Sequence, residues 1–143
     1  MDYLRANIPL TTYMDIRAGH CQHDYLTLEA PLAPNRNDKG TAFGGSLVSL
    51  CTLGGWSMMS MICRELNCDV DIVIARSEIR YLRPVNEDPF VAKAMRPDQE
   101  LVSQFGCELE STGWATLEFA VVVQDSGKDA VRFFGKYGAR LED

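Results

Sequence analysis

Histidine is almost missing from this sequence: two occur in 143 residues, His20 and His23. That scarcity removes a Ser-His-Asp triad, because neither imidazole accompanies a serine in a nucleophile-elbow context. A metal site at His20-Cys21-Gln22-His23 is opposed by geometry. Residues three apart in a strand point to opposite faces, so only a turn would bring the two rings together. The expectation is no metal and no resident cofactor. Paired cysteines are missing too. Cys21, Cys51, Cys63, Cys68 and Cys107 are odd in number and no two are spaced C-x-x-C, so a reduced, cytoplasmic chain is expected. Positive charge is short: 14 Lys and Arg stand against 20 Asp and Glu, a net −6 without a basic stripe. That excludes the usual electrostatics of a nucleic-acid binder. The start, Met1 to Asn7, is mixed rather than basic then apolar, so no secretory signal is read there. The length suits one domain over residues 1–143 with a proper core.

The longest gap is a gap in charge. No charged residue lies between Lys39 and Arg64. The run holds Leu47, Val48, Leu50, Leu53, Trp56, Met58, Met59, Met61 and Ile62. A helix apolar on every face must be buried. Its length would also span a bilayer. Against a span stand its many Gly, Ser and Thr residues and the lack of Lys/Arg clustering at one end. Gly54-Gly55 inside the run costs about 1 kcal/mol per glycine relative to alanine, which predicts close approach by another backbone. In front lies Asn37-Asp38-Lys39-Gly40-Thr41-Ala42-Phe43-Gly44-Gly45. Glycines there leave backbone amides free at the positive end of the helix dipole, a place to hold a polarised carbonyl or an anion.

Around this helix the pattern predicts strands. Residues 3–8 read as a short helix stopped by Pro9. Leu26, Leu28, Ala30 and Leu32 alternate towards a core, and His23-Asp24 reads as a hairpin turn. Asp69 to Val85 reads as one long strand, with Val73, Ala75, Ser77, Ile79 and Tyr81 on one face and Arg76, Glu78 and Arg80 on the other. Phe90 to Arg96 is a shorter strand. Asp98 opens a second helix, in which Leu101, Phe105 and Leu109 recur and which Gly113 stops. Ala115, Leu117, Phe119, Val121 and Val123 alternate in the next strand, and Asp125-Ser126-Gly127-Lys128 is a hairpin turn into the last. The sum is an α+β protein of five to six mainly antiparallel strands. One helix apolar all round needs a sheet curled about it, or a second subunit.

These features resemble the hotdog fold, a curved antiparallel sheet around one central helix. Asn37-x-x-Gly40-x-x-Phe43-Gly44-Gly45 is similar to the N-x-x-G-x-x-H-G-G segment of phenylacetate-pathway-type acyl-CoA thioesterases. Tyr81-Leu82-Arg83-Pro84-Val85 looks like the aromatic-x-Arg-Pro-Val end of the third hotdog strand. The phrase from Lys39 to Leu47 is closer still to a bacterial thioesterase domain family found alone or C-terminal to an acetyltransferase domain. The likeness covers most of the chain from about Ile16. This sequence departs from the phenylacetate-type enzymes twice: Phe43 stands where they have His, and Thr52 where an Asp acts from the helix.

The resemblance implies a thioester hydrolase acting on acyl-CoA or an acyl-carrier thioester, as a homodimer or homotetramer, with neither nucleic acid nor a membrane span. The amide of Gly44, with that of Phe43 or Gly45 beside it, would hold the carbonyl oxygen. Asn37 would orient the water or the carbonyl, and Ser46, Ser49, Thr52 and Ser77 would hold a water by hydrogen bonds without acting as bases. Asn37, Gly44 and Thr52 are thus the catalytic candidates. Lys39, Gly40, Phe43, Gly45, Ser46, Ser77 and Arg83 are the substrate-binding ones, with Arg83 and Lys39 suited to coenzyme A phosphates. The alternative is a non-catalytic acyl-thioester-binding or regulatory domain, which the missing His and Asp favour. A hydratase is disfavoured, because no His paired with an acid follows the glycines.

Overall fold

A computed structural model describes residues 1–143. Two short helices open the chain, α1 (Asp2–Asn7) and α2 (Leu10–Tyr13), parted by Pro9. A hairpin follows, β1 (Arg17–Cys21) and β2 (Tyr25–Ala30), then a 3-10 turn at Ala33–Asn35. The central helix is α3 (Gly44–Glu65). After it come β3 (Val70–Tyr81), β4 (Phe90–Met95), α4 (Gln99–Thr112), β5 (Trp114–Asp125) and β6 (Lys128–Leu141). The six strands form one antiparallel sheet in the order β1-β2-β4-β5-β6-β3. Five of them, β2 to β6, touch α3. The sheet therefore wraps the helix without closing, as the hotdog resemblance implies.

The helix earns its place by burial. Leu47, Leu50, Cys51, Leu53, Met58, Met59 and Ile62 are buried against inward rows such as Ala115, Leu117, Phe119, Val121 and Val123 of β5. A helix long and apolar enough to cross a membrane is here packed inside its own sheet. One stripe is left half-buried: Ser49, Thr52, Trp56 and Ser60, spaced three or four apart. Tyr3 of α1 stacks flat on Trp56, with ring centroids 5.6 Å apart. The turns obey local chemistry. Gly113 takes φ 79° at the end of α4 and donates its N–H to the Leu109 carbonyl, and Ser126-Gly127, both at positive φ, close the β5–β6 hairpin.

Four sequence expectations change. The long strand runs from Val70 to Tyr81, because Leu82 and Arg83 turn to donate their amides to the Ala130 carbonyl. Its faces are not one alternation. The register with β6 slips between Ile74 and Arg76, so Ala75 is a bulge and the pleat resets there. Ile72 and Ile74 lie opposite the inward Ala139 and Tyr137, and Ser77, Ile79 and Tyr81 opposite the inward Gly135, Phe133 and Val131; Val73 falls on the outer face. In α4 the buried row is Val102, Phe105 and Leu109, while Leu101 is exposed. A strict four-residue repeat drifts by about 40° per step on a 3.6-residue helix. Finally, the close neighbour at Gly55 is a ring and not a backbone. A Cβ there would overlap the phenol of Tyr137.

Candidate active site

The loop before α3 is built by Asn37. Its Oδ1 accepts the amides of Lys39 (2.9 Å) and Thr41 (3.1 Å), and its Nδ2 donates to Thr41 Oγ1 (2.8 Å). The backbone closes the same turn, with the Asn37 amide on the Thr41 carbonyl and the Gly40 amide on the Asn37 carbonyl. Gly40 sits at φ 81°, a conformation that a side chain would strain. The N-x-x-G spacing is thus a self-closing turn whose side-chain amide is largely spent on the loop.

The loop then docks. Arg36 and Ala42 face each other in a single antiparallel bridge, and the Ala42 amide donates to the Val85 carbonyl (2.9 Å). The Phe43 amide donates to the Asn35 carbonyl (2.7 Å). Asn35 is itself clamped, 2 % exposed, with Nδ2 donating to the Met14 and Pro31 carbonyls. Within α3 the first bond is Leu47 N–H to the Phe43 carbonyl. The amides of Gly44, Gly45 and Ser46 therefore have no partner in the protein, and no side chain caps them. They carry the positive end of the helix dipole. Of the two partners envisaged for Gly44, the Gly45 amide is free and the Phe43 amide is occupied.

Two aromatic rings flank these amides. Phe43 is 55 % exposed and folds back over Gly45, where a Cβ would collide with its ring. Tyr81 is 53 % exposed. Its ring lies against Gly44, 3.6 Å from where a Cβ would stand, and its hydroxyl donates to the Gly44 carbonyl (3.2 Å). Partial burial, with a smaller contribution from Cys51, raises the Tyr81 pKa.

Not every candidate is gathered here. Thr52 lies on the same face as Gly45 but about 10 Å further along the helix. Its hydroxyl donates to the Val48 carbonyl (2.7 Å) and its carbonyl accepts from Tyr137 (2.6 Å). Ser77 shares the inward face of β3 with Tyr81 but stands about 13 Å away along the strand. Ser46 is at the site, half-buried. Lys39 and Gly40 are exposed on the Asn37 turn. Arg83 is exposed beyond β3, two residues from the Val85 that anchors the loop, and neither Lys39 nor Arg83 is in an ion pair. Of the methionines, Met58 and Met59 are core. Met61 lines a groove of about 380 Å³ between β1 and the C-terminal half of α3. Tyr81 and Asn35 were not singled out as site residues from the sequence. Tyr81 carried a signal, since it opens the aromatic-x-Arg-Pro-Val segment on the inward face.

Comparison with known proteins places this geometry. Residues 1–140 match the family model described as "Putative thioesterase (yiiD_Cterm)". The "putative thioesterase" of Shewanella oneidensis superposes with a TM-score of 0.87 at 33 % identity, covering 99 % of this chain and 94 % of that one. A protein of unknown function from Chlorobaculum tepidum gives 0.95 at 27 % identity, covering 99 % and 91 %. A Haemophilus influenzae thioesterase, at 13 % identity and 0.72, covering 96 % and 86 %, shares the fold. With a family match across nearly its whole length, the chain belongs to this thioesterase family of the hotdog fold.

Proposed function

We propose that the chain, as one domain, hydrolyses an acyl thioester carried on coenzyme A or on an acyl-carrier protein. The observation that carries this reading is the trio of unpartnered amides at Gly44, Gly45 and Ser46, open between two exposed aromatic rings. The acyl oxygen sits on those amides. A water oxygen adds to the carbonyl carbon, the C–S bond breaks, and the acid and the thiol leave, the water's proton ending on the departing sulfur. One such donor contributes about 3 kcal/mol to lowering the barrier. Lys39 and Arg83 meet the carrier's phosphates. Asn37 acts by holding the loop, and Thr52 by ordering water on the open stripe of α3.

The working unit is a homodimer, with a tetramer as its further assembly. The two sheet edges differ. β1 is five residues long and bulged, which protects it. β3 is twelve residues long and exposes Val73 and Ile74, 52 % and 42 %. Pairing of two β3 edges about a two-fold axis would satisfy that strand. It would also bring the partner's inward Ser77 row towards the half-buried stripe of α3. The five cysteines are all free, which supports a reducing, cytoplasmic compartment.

The test is release of free thiol from a panel of acyl-CoAs and acyl-carrier substrates, with gel filtration alongside. Turnover by a dimer supports the proposal; a folded protein with no turnover on any substrate refutes hydrolysis. A second reading, an acyl-thioester binder without hydrolysis, is favoured by two observations. The Thr52 hydroxyl is bonded back to the Val48 carbonyl, and Phe43 supplies no proton acceptor. Calorimetric binding of an acyl-CoA that stays intact would select it.

A further inference from the structure

We infer that Tyr81 is a catalytic residue of this site, its phenol hydroxyl donating to the acyl oxygen beside the α3 amides; this rests on the thioester reading above. Three observations converge on it. Tyr81 lies on the inward face of β3, opposite Val131, and its ring covers the Gly44 side of the first turn. Its hydroxyl already reaches that turn, donating to the Gly44 carbonyl at 3.2 Å. That carbonyl is helical and accepts from the amide four residues on as well, so the Tyr81 bond is not needed to satisfy it. Tyr81 is 53 % exposed, so its hydroxyl is open to a ligand as well as to that carbonyl. Phe43 on the other flank has no donor. Tyr81, with the Ser46 hydroxyl, is a side-chain donor beside the three amides, and partial burial moves its pKa further above neutral.

Geometry gives the chemistry. When the carbonyl oxygen gains charge on water addition, the hydroxyl proton shortens its hydrogen bond to it and stays on Tyr81. No bond to Tyr81 forms or breaks.

The test is Tyr81→Phe, which keeps the ring and removes the hydroxyl, measured beside the wild type with one acyl-CoA. The expected result is a fall in kcat of at least about tenfold, with KM within about twofold and with unchanged Tm and gel-filtration volume. Tyr81→Leu, which also removes the ring, should lose as much kcat and raise KM. Wild-type kcat in Tyr81→Phe overturns the inference while leaving hydrolysis standing, as does a kcat loss matched by a loss of Tm or of the dimer. No thiol release by the wild type overturns the hydrolase reading and this role with it.

Discussion

Two adjacent glycines in the middle of α3 should respond in opposite senses to the same added methyl group. An alanine at either gains about 1 kcal/mol of helix propensity over glycine. At Gly54 a Cβ would stand 3.5 Å from Val121 Cγ1 and 3.7 Å from the Ala94 Cβ, which is ordinary contact. Burying one more methyl there adds about 0.8 kcal/mol. Gly54→Ala should therefore raise stability by about 1 to 2 kcal/mol. At Gly55 the Cβ would overlap the Tyr137 ring. Tyr137 has nowhere to go: it is fully buried, packs edge-on to Phe119 with centroids 5.6 Å apart, and donates its hydroxyl to the Thr52 carbonyl. Overpacking costs about 1 to 3 kcal/mol. Breaking a buried hydroxyl's bond costs a further amount of about 1 to 3 kcal/mol. Set against the propensity gain, Gly55→Ala should destabilise by about 3 kcal/mol, a fall in Tm of about 10 °C for a chain of this size. Thermal and urea melts followed by circular dichroism measure both. A Gly55→Ala protein as stable as the wild type, or a Gly54→Ala protein that falls as far, would refute the packing argument.

Gly45→Ala should separate stability from activity. The ring it displaces belongs to the exposed Phe43, so Tm holds or rises, while kcat drops by about tenfold or more as that ring moves over the free amides. Asn37→Ala removes three hydrogen bonds from the turn. It should cost about 1 to 2 kcal/mol in a urea melt and lower kcat/KM. Iodoacetamide at pH 8 should modify the exposed Cys21 and Cys107 and spare Cys51, whose pKa burial pushes up to about 12; mass spectrometry of the digest reads it. Cys51 and Cys63 also set an alkaline limit. Their pKa values are raised from 9.0 to about 12 and about 11, chiefly by burial, so the unfolded chain releases these protons first. Their stabilising contribution is complete below pH 9 and is lost as pH rises through the folded values, visible as a falling urea midpoint above pH 9.

What was legible in the sequence is whatever a single local rule decides. The charge-free run from Gly44 onward reads as a core helix rather than a bilayer span, because Gly, Ser and Thr interrupt it, and the alternation from Ala115 to Val123 reads as a half-buried strand; both stand in the structure. The glycines before the helix announced free amides, and three are free. What was not legible depends on two segments at once. Whether the Phe43 amide is open or occupied turns on the Asn35 carbonyl, which reaches it only because Asn35 is tied to Met14 and Pro31. The bulge at Ala75 is another such case. A strand carries its period of two along the chain, but the face each residue takes is fixed by its partner, and one unpaired residue against β6 moves Val73 outward and keeps Tyr81 inward. That slip bears on function. Val73 joins the exposed outer row of the free edge, while Tyr81 is delivered, ring first, onto the turn that carries the open amides. A strand without the bulge could place only one of those two residues where it now stands, so the edge and the amide-bearing turn are linked through a single alanine.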